Sequence, residues 1–188
     1  MRIGYSLAFL AALLFAAPAA AQTDLTAAGL GIDGLADPAP SALPAPETRT
    51  AAPSLADLVA AHSDTATLDE DSECLARAVY YESRGEPLSG QLAVAEVIIN
   101  RARSGRFAST LCGVVRQRSQ FSFVRAGIIP QPPANSRDWQ IAVAIARIAT
   151  ENLADGGAPD ALFFHARRIN PGWRLTRVAT VGNHVFYR

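Results

Sequence analysis

The chain has 188 residues, 49% of them hydrophobic, and its 17 basic side chains balance 17 acidic ones. That balance hides a division: residues 1–70 carry two Arg against eight acidic residues, whereas residues 71–188 carry fifteen Arg against nine, a net charge of plus six. After the N-terminal stretch no segment is apolar for long enough to cross a bilayer, and no basic-aromatic motif points to nucleic acid.

Residues 1–21 read as a secretory signal peptide: Arg2, an apolar run from Ile3 to Ala17, then Pro18-Ala19-Ala20-Ala21 ahead of Gln22. The run is shorter than the roughly 20 residues of a membrane span, and small residues suit a cleavage site. An uncleaved anchor is the alternative. The reading predicts a periplasmic or secreted protein with no stable membrane insertion after cleavage. Residues 22–68 are rich in Ala and Pro, with Pro38, Pro40, Pro44, Pro46 and Pro53, and have too few bulky apolar side chains to bury a core. They read as a disordered linker. Within them Ser54 can cap a short helix over 54–62 bearing Leu55, Leu58 and Val59, either docked or fraying.

The folded unit is expected over 69–188. A first helix spans Ser72 to Ser83, capped by Ser72 or Asp71, with Leu75, Ala78, Val79 and Glu82 on one face, and it ends at Gly85 and Pro87. A second runs from Gln91 to Arg101 and is apolar nearly all round, as a covered central helix would be. A short third helix over Phe107 to Val115, capped by Ser109, carries Cys112. Gln120 to Val124 alternates polar and apolar and reads as extended. A long helix starts near Ser136, carries Trp139, Val143, Ala146 and Ala149, and stops at Gly156-Gly157. Ala161 to His165 and Val178 to Tyr187 read as strands. The fold class is therefore α+β: mostly helical, with a small β element.

Cys74 and Cys112 are the two cysteines, and an even count in an exported chain favours one disulfide between them. Two buried free thiols are the alternative. No His or acidic residue lies close enough to either in sequence to suggest a nucleophile. All 17 basic residues are Arg, which reflects base composition of the gene more than a phosphate-binding chemistry. The basic C-terminal part still favours a polyanionic partner such as a carboxylate-bearing cell wall.

Glu82 is the candidate catalytic residue. A carboxyl on the apolar face of a helix that breaks immediately afterwards is disfavoured as an anion, so it stays protonated to a higher pH and is poised to donate a proton. Helix spacing alone equally allows a polar residue bordering the core. In an exported enzyme such an acid suits glycosidic bond cleavage. One Glu suffices where the sugar supplies its own nucleophile, as N-acetylmuramic acid does through its 6-hydroxyl.

Several ordered motifs resemble the SleB-type cell wall hydrolases, a family related to spore cortex-lytic enzymes. They are Tyr81-Glu82-Ser83-Arg84-Gly85-Glu86-Pro87, the run from Gly90 to Arg101, Cys112-Gly113-Val114-Val115, Gln120-Phe121-Ser122, and Gly182 to Tyr187. The resemblance covers 72–188 and implies a lysozyme-like or transglycosylase-like domain whose partner is the peptidoglycan glycan strand. It places the family's catalytic Glu, the first acid of Glu-Ala-Arg-Gly-Glu, on Glu82, with Ser83 departing at the Ala position. Gln120 and Ser122 are implied to hold an acetamido sugar, with Phe121 packing beneath. Relatives often carry a second cysteine pair around that segment, where this chain has Ser119 and Arg125. Glu86 is the rival acid, but its place between Gly85 and Pro87 favours a loop or capping role. Arg84 is expected to orient one of the two carboxylates. Tyr81 and His165 complete the expected substrate-binding set; Tyr80 and His184 fit either core or groove.

No cofactor and no metal are expected, because His62, His165 and His184 are the only histidines and show no paired spacing. The leading expectation is a lytic transglycosylase or muramidase-like hydrolase cutting the β-1,4 bond between N-acetylmuramic acid and N-acetylglucosamine. An N-acetylmuramoyl-L-alanine amidase and a non-catalytic wall-binding scaffold are the alternatives.

Overall fold

The computed structural model describes residues 52–64 and 68–188. The signal peptide and most of the linker read from the sequence lie outside the described residues. Five helices precede a three-stranded sheet: α1 (Leu55–His62), α2 (Glu70–Ser83), α3 (Leu88–Arg103), α4 (Leu111–Arg116), α5 (Arg137–Thr150), β1 (Phe163–Ala166), β2 (Arg177–Val181) and β3 (His184–Tyr187). No helix among the described residues is long and apolar enough to cross a membrane.

Helix α3 explains its own all-round apolarity. Leu92, Ala95 and Ile98 join the main core with Leu75, Ala78 and Val79 of α2 and Val143, Ala146 and Ile148 of α5. Its opposite face presents Ala93, Val94 and Val97 to a second cluster closed by Ala158, Ala161 and Phe186. A helix buried on both sides has no solvated face to spend on polar residues. Helix α1 docks on α5, burying Val59, and is held by a capping box between Ser54 and Asp57.

Two helix starts differ from the sequence reading. Asp69, not Ser72 or Asp71, caps α2: its carboxylate accepts the Ser72 N–H at 2.9 Å, and the helix begins at Glu70, two residues earlier than read. Thr110, not Ser109, caps α4, and Asp71 reaches across from α2 to accept the N–H groups of Leu111 and Cys112 at 3.2 and 3.0 Å. The same two helices are joined by the Cys74–Cys112 disulfide, with the Cα atoms 5.1 Å apart.

Helix α5 stops at Thr150, short of Gly156. Asn152 takes a left-handed conformation (φ 55°) and the Leu153 N–H bonds back to the Ile148 carbonyl at 3.0 Å, so an asparagine closes the helix. Gly156 serves a different end. Its N–H meets the Glu96 carboxylate at 2.7 Å, and a Cβ there would stand 2.4 Å from the Ala93 backbone nitrogen, so only glycine lets this loop lie against α3.

The segment 120–124 is not extended. It makes two successive turns, with the Gln120 N–H bonded to the Gln117 carbonyl and the Val124 N–H to the Phe121 carbonyl, at 3.2 Å each. Among the described residues no strand pairs with it, and the backbone satisfies itself locally. Val178 to Tyr187 is a hairpin in which Gly182-Asn183 reverses the chain between β2 and β3. β3 is central in the order β1-β3-β2, antiparallel to both neighbours, with His165 opposite Val185 and Ala166 opposite His184.

Candidate active site

The break after α2 and the sheet's leading edge face each other across a cleft of about 730 Å³. Glu82, Gln120, Ser122 and His165 all line it. Tyr81 is not in that lining: its ring stacks on Phe123, with centroids 5.0 Å apart, and meets Tyr80 edge-on. Tyr80 is a core residue, buried against Trp139.

Glu82 sits on the last turn of α2, half-buried. Removal from water raises its pKa above the ordinary carboxylate value, while the positive charge of Arg101 pulls in the opposite direction. Arg101 is the residue that sequence reasoning missed. On the last turn of α3, it is only 5% exposed yet lines the cleft. Its Nε donates to the Leu162 carbonyl at 2.7 Å, and its guanidinium lies within 6 Å of the ring centroids of Phe107, Phe121 and Phe163. Burial brings its own pKa down to about 10, opposed by Glu82. The result is a fixed cation facing a carboxyl that the cleft prefers neutral. An Arg two residues past the apolar stretch that ends at Ile99 of a buried helix is the signal that was available.

Glu86 is a clamp. One carboxylate oxygen accepts the Asn183 N–H at 2.8 Å, and the other lies 3.2 Å from His184 Nδ1 at an angle too poor for a hydrogen bond. His184 is nearly buried, and its pKa is lowered by that burial, with Glu86 opposing. Gly182 (φ 54°) makes the approach possible, because a Cβ on it would fall 2.5 Å from the Glu86 carboxylate. The loop role read for Glu86 thus takes the form of a tie between the α2–α3 corner and the β2–β3 turn.

His165 is held at both ring nitrogens. Its Nδ1 lies 3.0 Å from the Ala166 carbonyl, to which it donates, and its Nε2 lies 2.9 Å from the Tyr187 hydroxyl. The ring also stacks on Tyr187 and meets Trp173 edge-on. Arg84 orients neither carboxylate. At the end of α2 it folds back over Tyr80, donating to its hydroxyl at 2.9 Å.

Chemically the cleft offers one half-buried acid, one buried cation, and the amide and hydroxyl of Gln120 and Ser122 on turns opposite. No group of three or more His, Cys, Asp or Glu side chains suited to a metal occurs among the described residues.

The family described as Cell Wall Hydrolase matches residues 85–187, a span that begins three residues after Glu82. The spore cortex-lytic enzyme of Oceanobacillus iheyensis is 35% identical over 121 residues, covering 62% of this chain and 41% of its own length. That of Bacillus subtilis is 32% identical over 139 residues, covering 69% and 41%. The chain therefore spans about two fifths of these curated relatives. Among solved structures, the catalytic domain of the germination-specific lytic transglycosylase SleB from Bacillus anthracis superposes with a TM-score of 0.53 at 32% identity, covering 66% of this chain and 99% of that domain. The catalytic domain of the Bacillus cereus SleB protein gives 0.51 at 32%, covering 67% and 96%. Both structures agree with the α+β, lysozyme-like class read from the sequence.

Proposed function

Because the chain belongs to the cell wall hydrolase family, we propose that it is a peptidoglycan lytic transglycosylase in which Glu82 is the single acid and base. The observation that carries this reading is the state of the two carboxyls in the cleft. Among the described residues the Glu82 carboxyl has no hydrogen-bonded partner and is favoured as the neutral acid by burial, whereas Glu86 accepts from the Asn183 N–H and lies against His184. A hydrolase of the two-carboxylate kind needs a second, available carboxylate as base or nucleophile. One acid suits a substrate that brings its own nucleophile.

In the proposed reaction Glu82 protonates the oxygen that bridges muramic acid C1 to N-acetylglucosamine. The C1–O bond breaks as positive charge develops on the sugar ring. The muramic 6-hydroxyl then closes on C1 and returns its proton to the Glu82 carboxylate, so the enzyme regains its starting state and no water is consumed. Arg101 offsets the negative charge that Glu82 bears between the two transfers. Gln120 and Ser122, which line the cleft, would hold an acetamido group, and His165, with its ring bonded to Tyr187, lines the same cleft. The leader read over residues 1–21 and the linker over 22–68 would deliver this domain outside the cytoplasm, where the wall is.

Mass spectrometry of fragments released from purified sacculi tests the reading. Anhydro-muropeptides are the expected product. New reducing muramic ends would make the enzyme a hydrolase, and freed stem peptides would make it an amidase.

A further inference from the structure

The charge of the cleft does not stop at its acids. Arg167 and Arg168, at the end of β1, line the same cleft as Glu82, and both are exposed. Two arginines elsewhere in the domain are ion-paired, Arg77 with Glu73 and Arg116 with Glu70. Among the described residues no carboxylate stands within ion-pair distance of Arg167 or Arg168. The acid that could have neutralised them from within the lining, Glu86, is turned to Asn183 and His184.

The backbone that presents these two side chains is tied at both ends. The Arg167 N–H donates to the Asn183 carbonyl and the Ile169 N–H to the Ala166 carbonyl, each at 2.8 Å. Two unpaired guanidiniums on an anchored turn are already ordered at the backbone, which lowers the cost of ordering them around a ligand. Guanidinium groups match carboxylates in geometry as well as charge. A cleft lined by one sign of charge raises the local concentration of an opposite charge relative to an open surface.

Resting on the glycosidase reading above, we propose that Arg167 and Arg168 form a carboxylate subsite that receives the anionic arm borne by muramic acid at its 3-position. Two sources of that carboxylate exist on a glycan strand: the stem peptide, or the free lactyl acid left where the peptide has been removed. Both hang from the sugar whose C1 reacts, so a carboxylate held by this pair orients that sugar over Glu82. The subsite adds specificity for muramic acid over N-acetylglucosamine, which has no such arm.

The test compares three strand preparations: peptide-bearing, peptide-free with free lactyl carboxylates, and peptide-free with those carboxyls converted to amides. The wild-type enzyme is expected to cleave the charged strands with kcat/KM roughly fivefold above the amidated ones, and R167Q/R168Q is expected to bring that ratio near one. A lead of peptide-bearing over peptide-free strands in the wild type assigns the stem peptide as the source; equality assigns the lactyl acid. A wild-type ratio near one, or the same ratio in both enzymes, overturns the subsite. Retention of E82Q and E82Q/R167Q/R168Q on charged and amidated strands reads the same preference without turnover, with thermal melting to confirm that the variants fold. A wild-type enzyme that cleaves no strand at all would instead remove the glycosidase reading, leaving the retention comparison to decide the subsite.

Discussion

On one side of the cleft, α2 and α3 bring Glu82 and Arg101 out of a core built from Ala, Val, Leu and Ile at helical spacing. On the other, a short sheet and its loops bring His165, Arg167, Arg168 and His184 to the same space. The first side is held by apolar burial and a disulfide. The second rests on the small cluster around Phe186 and on a few polar ties: Arg101 and Asn100 to the Leu162 and Ala161 carbonyls, Glu96 to Gly156, and Glu86 to Asn183. The difference teaches that the helical side carries most of the apolar burial that stabilises the domain, whereas the sheet side, on the function proposed above, adds polar groups that would hold the substrate.

The comparison is tested hardest at the disulfide. Linking residues 38 apart restricts the unfolded chain, so C74A/C112A should lose about 3–4 kcal/mol in urea unfolding. Activity per folded molecule should stay near wild type, since the bond lies outside the cleft lining. A variant equally stable but inactive would show that the helical side is not merely a scaffold.

A smaller effect with the opposite balance is expected at Gly182. Alanine at its positive φ costs roughly 1–2 kcal/mol, and the new Cβ must push the Glu86 carboxylate away. G182A should therefore lose more activity than stability, because it unties the β2–β3 turn that holds Asn183 and His184. Equal loss in both, measured by unfolding and by sacculus digestion, would erase the distinction between the two sides.

Arg101 belongs to both sides and gives the subtlest signal. Its charge favours the ionised form of Glu82, so removing it raises the Glu82 pKa further. In the proposed mechanism the acid form is the active one, so the alkaline limb of the pH–activity profile should move upward in R101M and return toward wild type in R101K. Glu86, His165, His184, Arg167 and Arg168 also face the cleft and are unchanged in both variants. A profile that only loses amplitude would reduce Arg101 to packing.

The helical side was legible because periodicity announces it: Leu75, Ala78, Val79 and Glu82 share a face in the sequence and in the fold. The buried Arg101, the Glu86 tie and the Arg167–Arg168 pair were not. Their partners lie 61 residues away at Leu162 and 97 at Asn183, and no local spacing encodes such contacts. Segment 120–124 misled for a related reason. Alternation of Phe121 and Phe123 with Ser122 mimics a strand, but a strand also needs a neighbour. Tyr81, placed in the expected substrate-binding set, stacks on Phe123 outside the cleft lining.

Substituting Glu82 by Gln tests the central claim most directly, because it keeps the side chain's shape and removes its proton. The raised pKa in the fold means that stability is full below the ordinary carboxylate value of 4.5 and declines as pH rises through the higher folded value. E82Q should accordingly melt roughly 2–4 °C above wild type near neutral pH, and level with it near pH ~3. Over the same comparison, release of fragments from sacculi should drop by roughly 10²- to 10⁴-fold. A folded E82Q protein that digests sacculi at the wild-type rate would contradict the account.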